Sequence, residues 1–199
     1  MFEVELKLRA SHETVRPAIE AAGATRLTSV SQVDTYYDAP HRDFAETDEA
    51  LRIRQEEQQE SSDADDSADS GASDETETEP TTKLTYKGPL VDANSKTREE
   101  HETGVDDADT TRSIFEDLGF EPAAVVEKHR TFFELDRYTV TLDRVESLGE
   151  FVEVEAEADS EDDIDAVREG AFDVLDRLGL DPDEQIRTSY LSMLLDQEV

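Results

Sequence analysis

Charged side chains in this sequence recur at every second position of several short segments. Glu3, Glu5 and Lys7 alternate with apolar residues near the start of the chain, and Glu153 and Glu155 do the same further on. Because successive side chains of a β-strand point to opposite faces, each set would project from one face of a strand. Carboxylates at positions i and i+2 suit hard divalent cations, and magnesium commonly bridges such carboxylates to substrate phosphates. The spacing therefore favours a metal site built on strand faces.

Basic residues follow the same alternation. Lysine is scarce, with 5 Lys against 14 Arg, yet four of the lysines fall on predicted strand faces and only Lys96 is assigned to a loop. The basic residues on these faces are Lys7, Arg52, Arg54, Lys83, Lys87, Lys128 and Arg130, and Arg98 shares a face with Glu100. An acid-rich surface gives no reason to concentrate cations there, whereas an interior site for a polyanion does. Facing sets of acids and bases would form a metal-dependent triphosphate site.

Eight strands and about four helices are predicted to position these residues. The strands cover about 2–9, 24–37, 50–55, 82–87, 97–103, 124–135, 138–145 and 150–158, and the helices about 12–22, 107–118, 161–178 and 188–195. Consecutive strands joined by short turns favour an antiparallel meander over a parallel doubly wound sheet. An open sheet with one solvated face is the simpler interpretation of the alternation. A sheet closed into a barrel would instead gather the acids of strands one and eight, and the cations of strands three, four and six, in one lumen.

Composition excludes several classes of function. With 53 Asp and Glu against 19 Lys and Arg, the formal net charge of -34 excludes nucleic-acid binding through a general basic surface. The chain has no cysteine, so it has no disulfide framework, thiolate zinc site or cysteine nucleophile. No apolar run approaches the roughly 20 residues of a membrane span, and Met1 is followed by the alternating segment Phe2-Glu3-Val4-Glu5 rather than by the apolar region typical of a signal peptide. We therefore expect a soluble, cytoplasmic protein without a membrane partner.

Residues 55–82 form an acidic tract with eleven acidic residues and no basic ones. Only alanines supply apolar side chains in it, so we expect a disordered insert that lengthens a hairpin loop. The remaining residues are also acid-rich, which is typical of a protein from a high-salt, halophilic cytoplasm where repulsion is screened. The alternative interpretation of the acidic tract is that it binds a basic partner. The whole chain, 1–199, is long enough for a single domain.

Several motifs together resemble one known family. Glu3-Val4-Glu5-Leu6-Lys7 is similar to the ExExK signature of the CYTH, or triphosphate tunnel, superfamily, and Met1 to Leu195 can be laid over that family in order. The further motifs are ALRIR at 50–54, LTYKGP at 84–89, TREEHE at 97–102, EKHR at 127–130, TLDRV at 141–145 and LGEFVEVE at 148–155. The spacing and SYLSMLL at 189–195 look most like the class IV adenylate cyclase branch, which has archaeal members.

The resemblance implies an α+β fold, with an eight-stranded antiparallel barrel closed into a triphosphate tunnel and flanked by helices. It also implies Mg²⁺ or Mn²⁺ as cofactor and a single CYTH-like domain over 1–199. The implied metal ligands are Glu3, Glu5, Glu153 and Glu155, with Asp143 and Glu100 as further candidates. The implied phosphate-binding residues are Lys7, Arg52, Arg54, Lys83, Lys87, Lys128 and Arg130, with Arg98 assisting. Glu3, Glu5 and Lys7 are the predicted catalytic residues, and the acidic insert departs from the family pattern.

Three functions remain open at this stage. An adenylate cyclase would convert ATP to cyclic AMP and pyrophosphate, with two metal ions activating the ribose 3'-oxygen. A phosphohydrolase would use the same residues to cleave tripolyphosphate, thiamine triphosphate or a nucleoside triphosphate. A non-enzymatic module would bind polyphosphate or nucleotide without turnover. The partner in each case is a small triphosphate rather than nucleic acid, and a homodimer is left open.

Overall fold

A computed structural model of the protein describes residues 2–59 and 80–197. The strands are β1 (Phe2–Arg9), β2 (Thr25–Asp38), β3 (Ala50–Gln59), β4 (Thr81–Leu90), β5 (Lys96–Val105), β6 (Glu121–Leu135), β7 (Tyr138–Val145) and β8 (Gly149–Ala158). The α-helices are α1 (His12–Ala21), α2 (Phe44–Thr47), α3 (Ala108–Asp117), α4 (Ile164–Arg177) and α5 (Tyr190–Leu195). Two short 3₁₀ turns, Glu161–Asp163 and Pro182–Glu184, flank α4.

The eight strands close into one antiparallel barrel with the order β1-β5-β4-β3-β2-β6-β7-β8. This confirms the predicted closed barrel with flanking helices and excludes the simpler open sheet. Two meanders, β2 to β5 and β6 to β8, are joined through the β2–β6 pair and through β1, which pairs with both β5 and β8. A simple sequential meander is therefore wrong at β1, because α1 separates it from β2 in the chain and the two strands are not neighbours in the barrel.

The predicted bounds of the acidic insert were too wide. Residues 55–59 continue β3 and residues 81–82 begin β4. The polar side chains of β3 are stabilised by β2, since Gln32 donates to Glu56 over 2.6 Å and Gln59 donates to Ser31 over 2.7 Å. The rest of the predicted insert, residues 60–79, lies outside the described part of the chain.

The apolar core lies outside the barrel wall, between the strands and two helices. Val4, Leu6 and Leu8 on β1 are buried there against α1 and α4, which contribute Ile19 and Leu175. Burial of such side chains stabilises the fold by roughly 1.5–3 kcal/mol each. Because these outward faces are covered by helices, the opposite, charged faces of the same strands are left to line the lumen.

Two helices cover one end of the barrel, where β2 ends and β3 and β6 begin. The helix α2 connects β2 to β3, and α5 packs against β6. The N-cap residue of α5 is Ser189, whose hydroxyl accepts a hydrogen bond from the Ser192 amide over 3.0 Å. The aromatic ring of Tyr190 then lies 4.9 Å from that of Phe151, inside an apolar cluster at this end. Within residues 2–59 and 80–197, none of the helices has both the length and the apolar character that a membrane span requires.

Candidate active site in the barrel lumen

The lumen holds a cavity of about 330 Å³ that is lined by charged side chains of both signs. Every site residue predicted from the sequence lines this cavity except Asp143. The lining residues among them are Glu3, Glu5, Lys7, Arg52, Arg54, Lys83, Lys87, Arg98, Glu100, Lys128, Arg130, Glu153 and Glu155. A cavity this rich in convergent ionised groups is suited to a ligand that carries several charges.

Neighbouring strands β1 and β8 form an acidic wall. Glu5 is paired directly across from Glu155, and Lys7 from Glu153. Burial, followed by the charges of the surrounding glutamates, raises the pKa of Glu155 to about 8. Burial would also raise the pKa of Glu5, but the charges of Lys7 and other lysines lower it to about 2. The wall therefore places a carboxyl group of lowered pKa directly across from one of raised pKa.

Lys87 links the acidic wall to β5. Its ammonium lies 3.3 Å from the Glu3 carboxylate and also contacts Glu100. Burial raises the pKa of Glu100 to about 7, whereas for Glu3 burial is outweighed by the charge of Lys87 together with a hydrogen bond to Glu100 and the charge of Arg52, which lower the pKa to about 2. Lys87 favours the ionised form of both carboxyl groups, but the charge of Glu3 raises the pKa of Glu100.

Arg52 and Arg54 on β3 are held by a buried aspartate that sequence analysis did not identify. Asp34 on β2 accepts hydrogen bonds from Arg54 over 2.6 and 2.7 Å and from Arg52 over 3.2 Å. Its carboxylate is fully buried and does not line the cavity. Burial would raise the pKa of Asp34, but the two arginines lower it well below its usual range. Asp34 lies on the same strand face as Tyr36, so extending the alternation to β2 would have found it.

Asp143 has an equivalent position behind Arg130. Its two oxygens accept hydrogen bonds from Arg130 over 2.6 and 2.5 Å, and the Tyr190 hydroxyl donates to it over 3.1 Å. The same guanidinium contacts Glu153 of the acidic wall. Because Asp143 is fully buried behind the cavity, its place in the structure favours a role in orienting Arg130 over the predicted role as metal ligand.

Lys7 and Lys128 converge on the ring of Tyr190, at the covered end of the lumen. Their ammonium groups lie 4.4 and 5.3 Å from the ring centroid, within the range of cation–π attraction. Lys7 is also 3.6 Å from Glu5 and 3.9 Å from Glu153. Burial, followed by the charge of nearby arginines, lowers the pKa of Lys128 to about 7. An anion entering the lumen would relieve the mutual repulsion of these cations.

The remaining predicted phosphate ligands lie nearer the openings of the lumen. Lys83, at the end where the acidic insert connects β3 and β4, lies 3.2 Å from Glu102. Arg98 donates to the backbone carbonyl of Asp48 over 2.5 Å and to its carboxylate over 2.8 Å, next to α2. The guanidinium of Arg98 is thus engaged by the segment after α2.

Lys96 also lines the cavity, although sequence analysis assigned it to a loop. It is the first residue of β5 and pairs directly across from Glu5. Burial, followed by the charge of Lys7, lowers the pKa of Lys96 to about 7. The loop assignment was wrong by one residue at the start of the strand, since the prediction began at Thr97.

The acidic wall fits a divalent cation by its chemistry. Glu5 Oε1 is buried without a hydrogen-bond partner, and burial beside other carboxylates raises the pKa of Glu155. A hard cation, which takes oxygen ligands, would give the Glu5 oxygen a partner and would stabilise the ionised form of Glu155. As the side chains lie, however, no group of three or more carboxylate or histidine side chains in 2–59 and 80–197 is close enough together to hold an ion. Lys7, Lys87 and Arg130 already engage these carboxylates, so binding would require the ion pairs to rearrange.

A closed eight-stranded barrel with acids and bases facing each other in its lumen defines a triphosphate-tunnel protein. The chain belongs to the CYTH domain family, whose model matches residues 1–190, as the sequence resemblance predicted.

Individual relatives cover almost the whole chain. A Methanocaldococcus jannaschii protein named as a candidate adenylate cyclase is 33% identical over 194 residues, covering 97% of this chain and 98% of its own. Adenylate cyclase CyaB of Aeromonas hydrophila is 25% identical over 194 residues, covering 96% of this chain and 88% of its own. The structure of the Pyrococcus horikoshii protein PH1819 superposes with a TM-score of 0.82 at 33% identity, covering 98% of this chain and 99% of that one.

Proposed function

We propose that the protein is a divalent-metal-dependent enzyme of the class IV adenylate cyclase type, which converts ATP to cyclic AMP and pyrophosphate. The observation that carries the proposal is the lumen, in which an acidic wall on β1 and β8 faces cations from β3, β4 and β6. The choice of cyclase is supported by the name of the archaeal relative, at 33% identity, and by the name of the Aeromonas relative.

Glu3, Glu5, Glu153 and Glu155 would hold the cation, which is expected to be Mg²⁺ or Mn²⁺. When bound, the metal would lower the pKa of the ribose 3'-hydroxyl and neutralise charge on the phosphates. The carboxylates themselves are fixed on two adjacent, paired strands, so their backbone positions do not depend on a flexible loop.

The cations of the chain would bind the phosphate oxygens and stabilise the pyrophosphate as it leaves. Asp34 binds Arg52 and Arg54, and Asp143 binds Arg130, by hydrogen bonds. The planar guanidinium groups are therefore oriented before substrate binds. Such preorganised donors stabilise charge that develops in the transition state. The Tyr190 ring and its apolar neighbours cover part of one end of the lumen, which limits water and favours cyclisation over hydrolysis.

Incubation of purified protein at high salt with ATP or tripolyphosphate, and with Mg²⁺ or Mn²⁺, tests the proposal when the products are resolved. Cyclic AMP together with pyrophosphate would support it. Release of orthophosphate alone would replace it with the triphosphatase alternative, and tight binding without turnover would replace it with a binding module.

Glu3→Gln is expected to abolish turnover and leave the fold intact, because the Lys87 ammonium keeps Glu100 as a partner. Product formation and thermal unfolding should be measured on the same preparation. Glu99→Gln is the matched control, since Glu99 is exposed on the opposite face of β5 from Glu100. Full activity in Glu3→Gln would contradict the role of Glu3 as a metal ligand.

A further inference from the structure

Arginines line the lumen at four positions, and one of the four is held differently from the others. Three of them are bound by Asp34 and Asp143, whose carboxylates are fully buried behind the cavity. Arg98 is bound by Asp48 instead, and the side chain of Asp48 is 37% exposed and lines the cavity. The carboxylate that holds Arg98 is therefore in contact with both the solvent and the lumen.

Asp48 can leave its arginine at a smaller cost than the two buried aspartates can. A buried carboxylate that loses its partner becomes an uncompensated charge, whereas an exposed carboxylate is solvated by water. The guanidinium of Arg98 is buried, and both hydrogen bonds that it makes with the described residues go to Asp48. It would need a new acceptor if the carboxylate left. A phosphate group is such an acceptor, because two of its oxygens match the fork of a guanidinium.

The segment around Asp48 is anchored independently of Arg98. Glu49 accepts a hydrogen bond from the Thr47 hydroxyl over 2.6 Å and another from the Tyr86 hydroxyl on β4. Asp48 itself has a left-handed backbone conformation, with a φ of 54°, at the end of α2. Its side chain could therefore turn into solvent while the anchor at Glu49 holds the segment on the barrel.

Arg98 is also placed among the residues of the proposed active site. It lies directly across from Glu3 on β1, and Glu100 shares its strand face on β5. All three side chains line the cavity. A polyphosphate in the lumen would therefore compete with Asp48 for the guanidinium of Arg98.

We propose that Asp48 is an internal competitor of the substrate, whose carboxylate binds Arg98 until a phosphate group displaces it. This inference rests on the proposed function only in requiring that phosphates bind in the lumen. It goes further, because it assigns to Asp48 a role in lowering the affinity for polyphosphates. The affinity falls by the fraction of molecules in which Arg98 is already occupied. When the carboxylate returns to Arg98, it favours release of the pyrophosphate product.

Asp48→Asn tests the competition, because asparagine keeps the size of the side chain, tolerates the left-handed backbone and carries no charge. Dissociation constants for tripolyphosphate and for pyrophosphate are measured by calorimetry with Mg²⁺ at constant high salt. Both should fall about fivefold, as expected when an exposed ion pair no longer has to be broken. Asp48→Gly, which removes the side chain and also permits the left-handed backbone, should give the same result.

Asp38→Asn is the matched control. Asp38 is exposed and lines the same cavity, and it forms no ion pair with any residue in 2–59 and 80–197. Its substitution should change both dissociation constants less than about twofold, because high salt screens a charge that contacts no cation. In an Arg98→Gln background, Asp48→Asn should likewise have less than a twofold effect, since the group for which Asp48 competes is gone.

Each outcome decides the inference. If the unaltered protein binds both anions and neither Asp48 variant binds them more tightly, the inference is overturned and the proposed function stands. Tightening of equal size in Asp38→Asn, or in the Arg98→Gln background, would also overturn it, because the effect would then come from net charge alone. If neither anion binds to the unaltered protein or to the Asp48 variants, the inference and the proposed function both fail.

Discussion

Glu155 should make the metal-free protein less stable as pH rises, and Glu155→Gln should remove this effect. Its carboxyl group is buried directly across from Glu5, and burial, followed by the charges of Glu3, Glu153 and Glu5, raises its pKa from 4.5 to about 8. In the unfolded chain the pKa returns to its ordinary value. Between these two values the folded state binds more protons than the unfolded state, so stability falls with rising pH. The contribution is fully present below about pH 4.5 and is lost above about pH 8.

The magnitude follows from the size of the shift. At 1.36 kcal/mol per pKa unit, the rise to about 8 sets an upper limit of about 5 kcal/mol on the cost of ionising Glu155 in the folded protein. Glutamine keeps the size of the side chain and cannot ionise. In the presence of a chelator, the stability advantage of Glu155→Gln over the unaltered protein should therefore grow from about pH 4.5 to about pH 8 and then level off.

Urea unfolding across this range, at constant high ionic strength, measures the effect. Glu157→Gln is the control, because Glu157 lies on the same face of β8 but is exposed and does not line the cavity. Addition of Mg²⁺ should stabilise the unaltered protein and reduce the advantage of Glu155→Gln, since a bound cation would stabilise the carboxylate. A difference between the two proteins that is independent of pH would refute the reasoning.

Two further substitutions test the aspartates behind the arginines. Asp34→Asn should lower stability by about 3–5 kcal/mol, because Arg52 and Arg54 would lose their buried counter-charge. It should also raise KM for the triphosphate, and denaturation midpoints with steady-state kinetics would show both; unaltered stability would contradict the buried ion pairs. Tyr190→Phe should cost about 1 kcal/mol, since it removes the hydrogen bond to Asp143 and keeps the ring. Chemical denaturation measures this loss, and one above about 3 kcal/mol would show that the hydroxyl does more than bond to Asp143.

Alternation of side chains was sufficient to predict most of the barrel. In β1, the charged set and the apolar set are confirmed as the inner and outer faces, because Val4 and Leu6 are buried under helices while Glu5 and Lys7 line the cavity. The rule succeeds in β7 as well, whose bounds match the prediction. Because one face of each strand is apolar and the other is charged, the sequence keeps a period of two, and hydrophobic periodicity is the primary signal of secondary structure in a sequence.

Local sequence patterns did not predict the structural features that depend on residues distant in the sequence. Residues 55–59 are polar throughout, and they form a strand because they pair with β2 along their length and with β4 at Gln55 and Glu56. The helix α2 is four residues long and is stabilised by the Asp43 cap, so periodicity could not reveal it. Alternation extended to β2 would have placed Asp34 on the inner face, but its ion pairs with Arg52 and Arg54 depend on the pairing of β2 with β3. The cytoplasmic location, the halophilic origin, the absence of a nucleic-acid partner and the oligomeric state remain predictions.

The pairing of β1 has a consequence for folding kinetics. This strand comes first in the sequence, yet its partners β5 and β8 begin about 90 and 140 residues later. Contacts of such long sequence separation form slowly, so we expect β1 to join the sheet late. Glu3 and Glu5 would meet the glutamates of β8 only at that step, and their repulsion would oppose it. Divalent cations should then accelerate refolding, and the appearance of activity should coincide with the final folding phase.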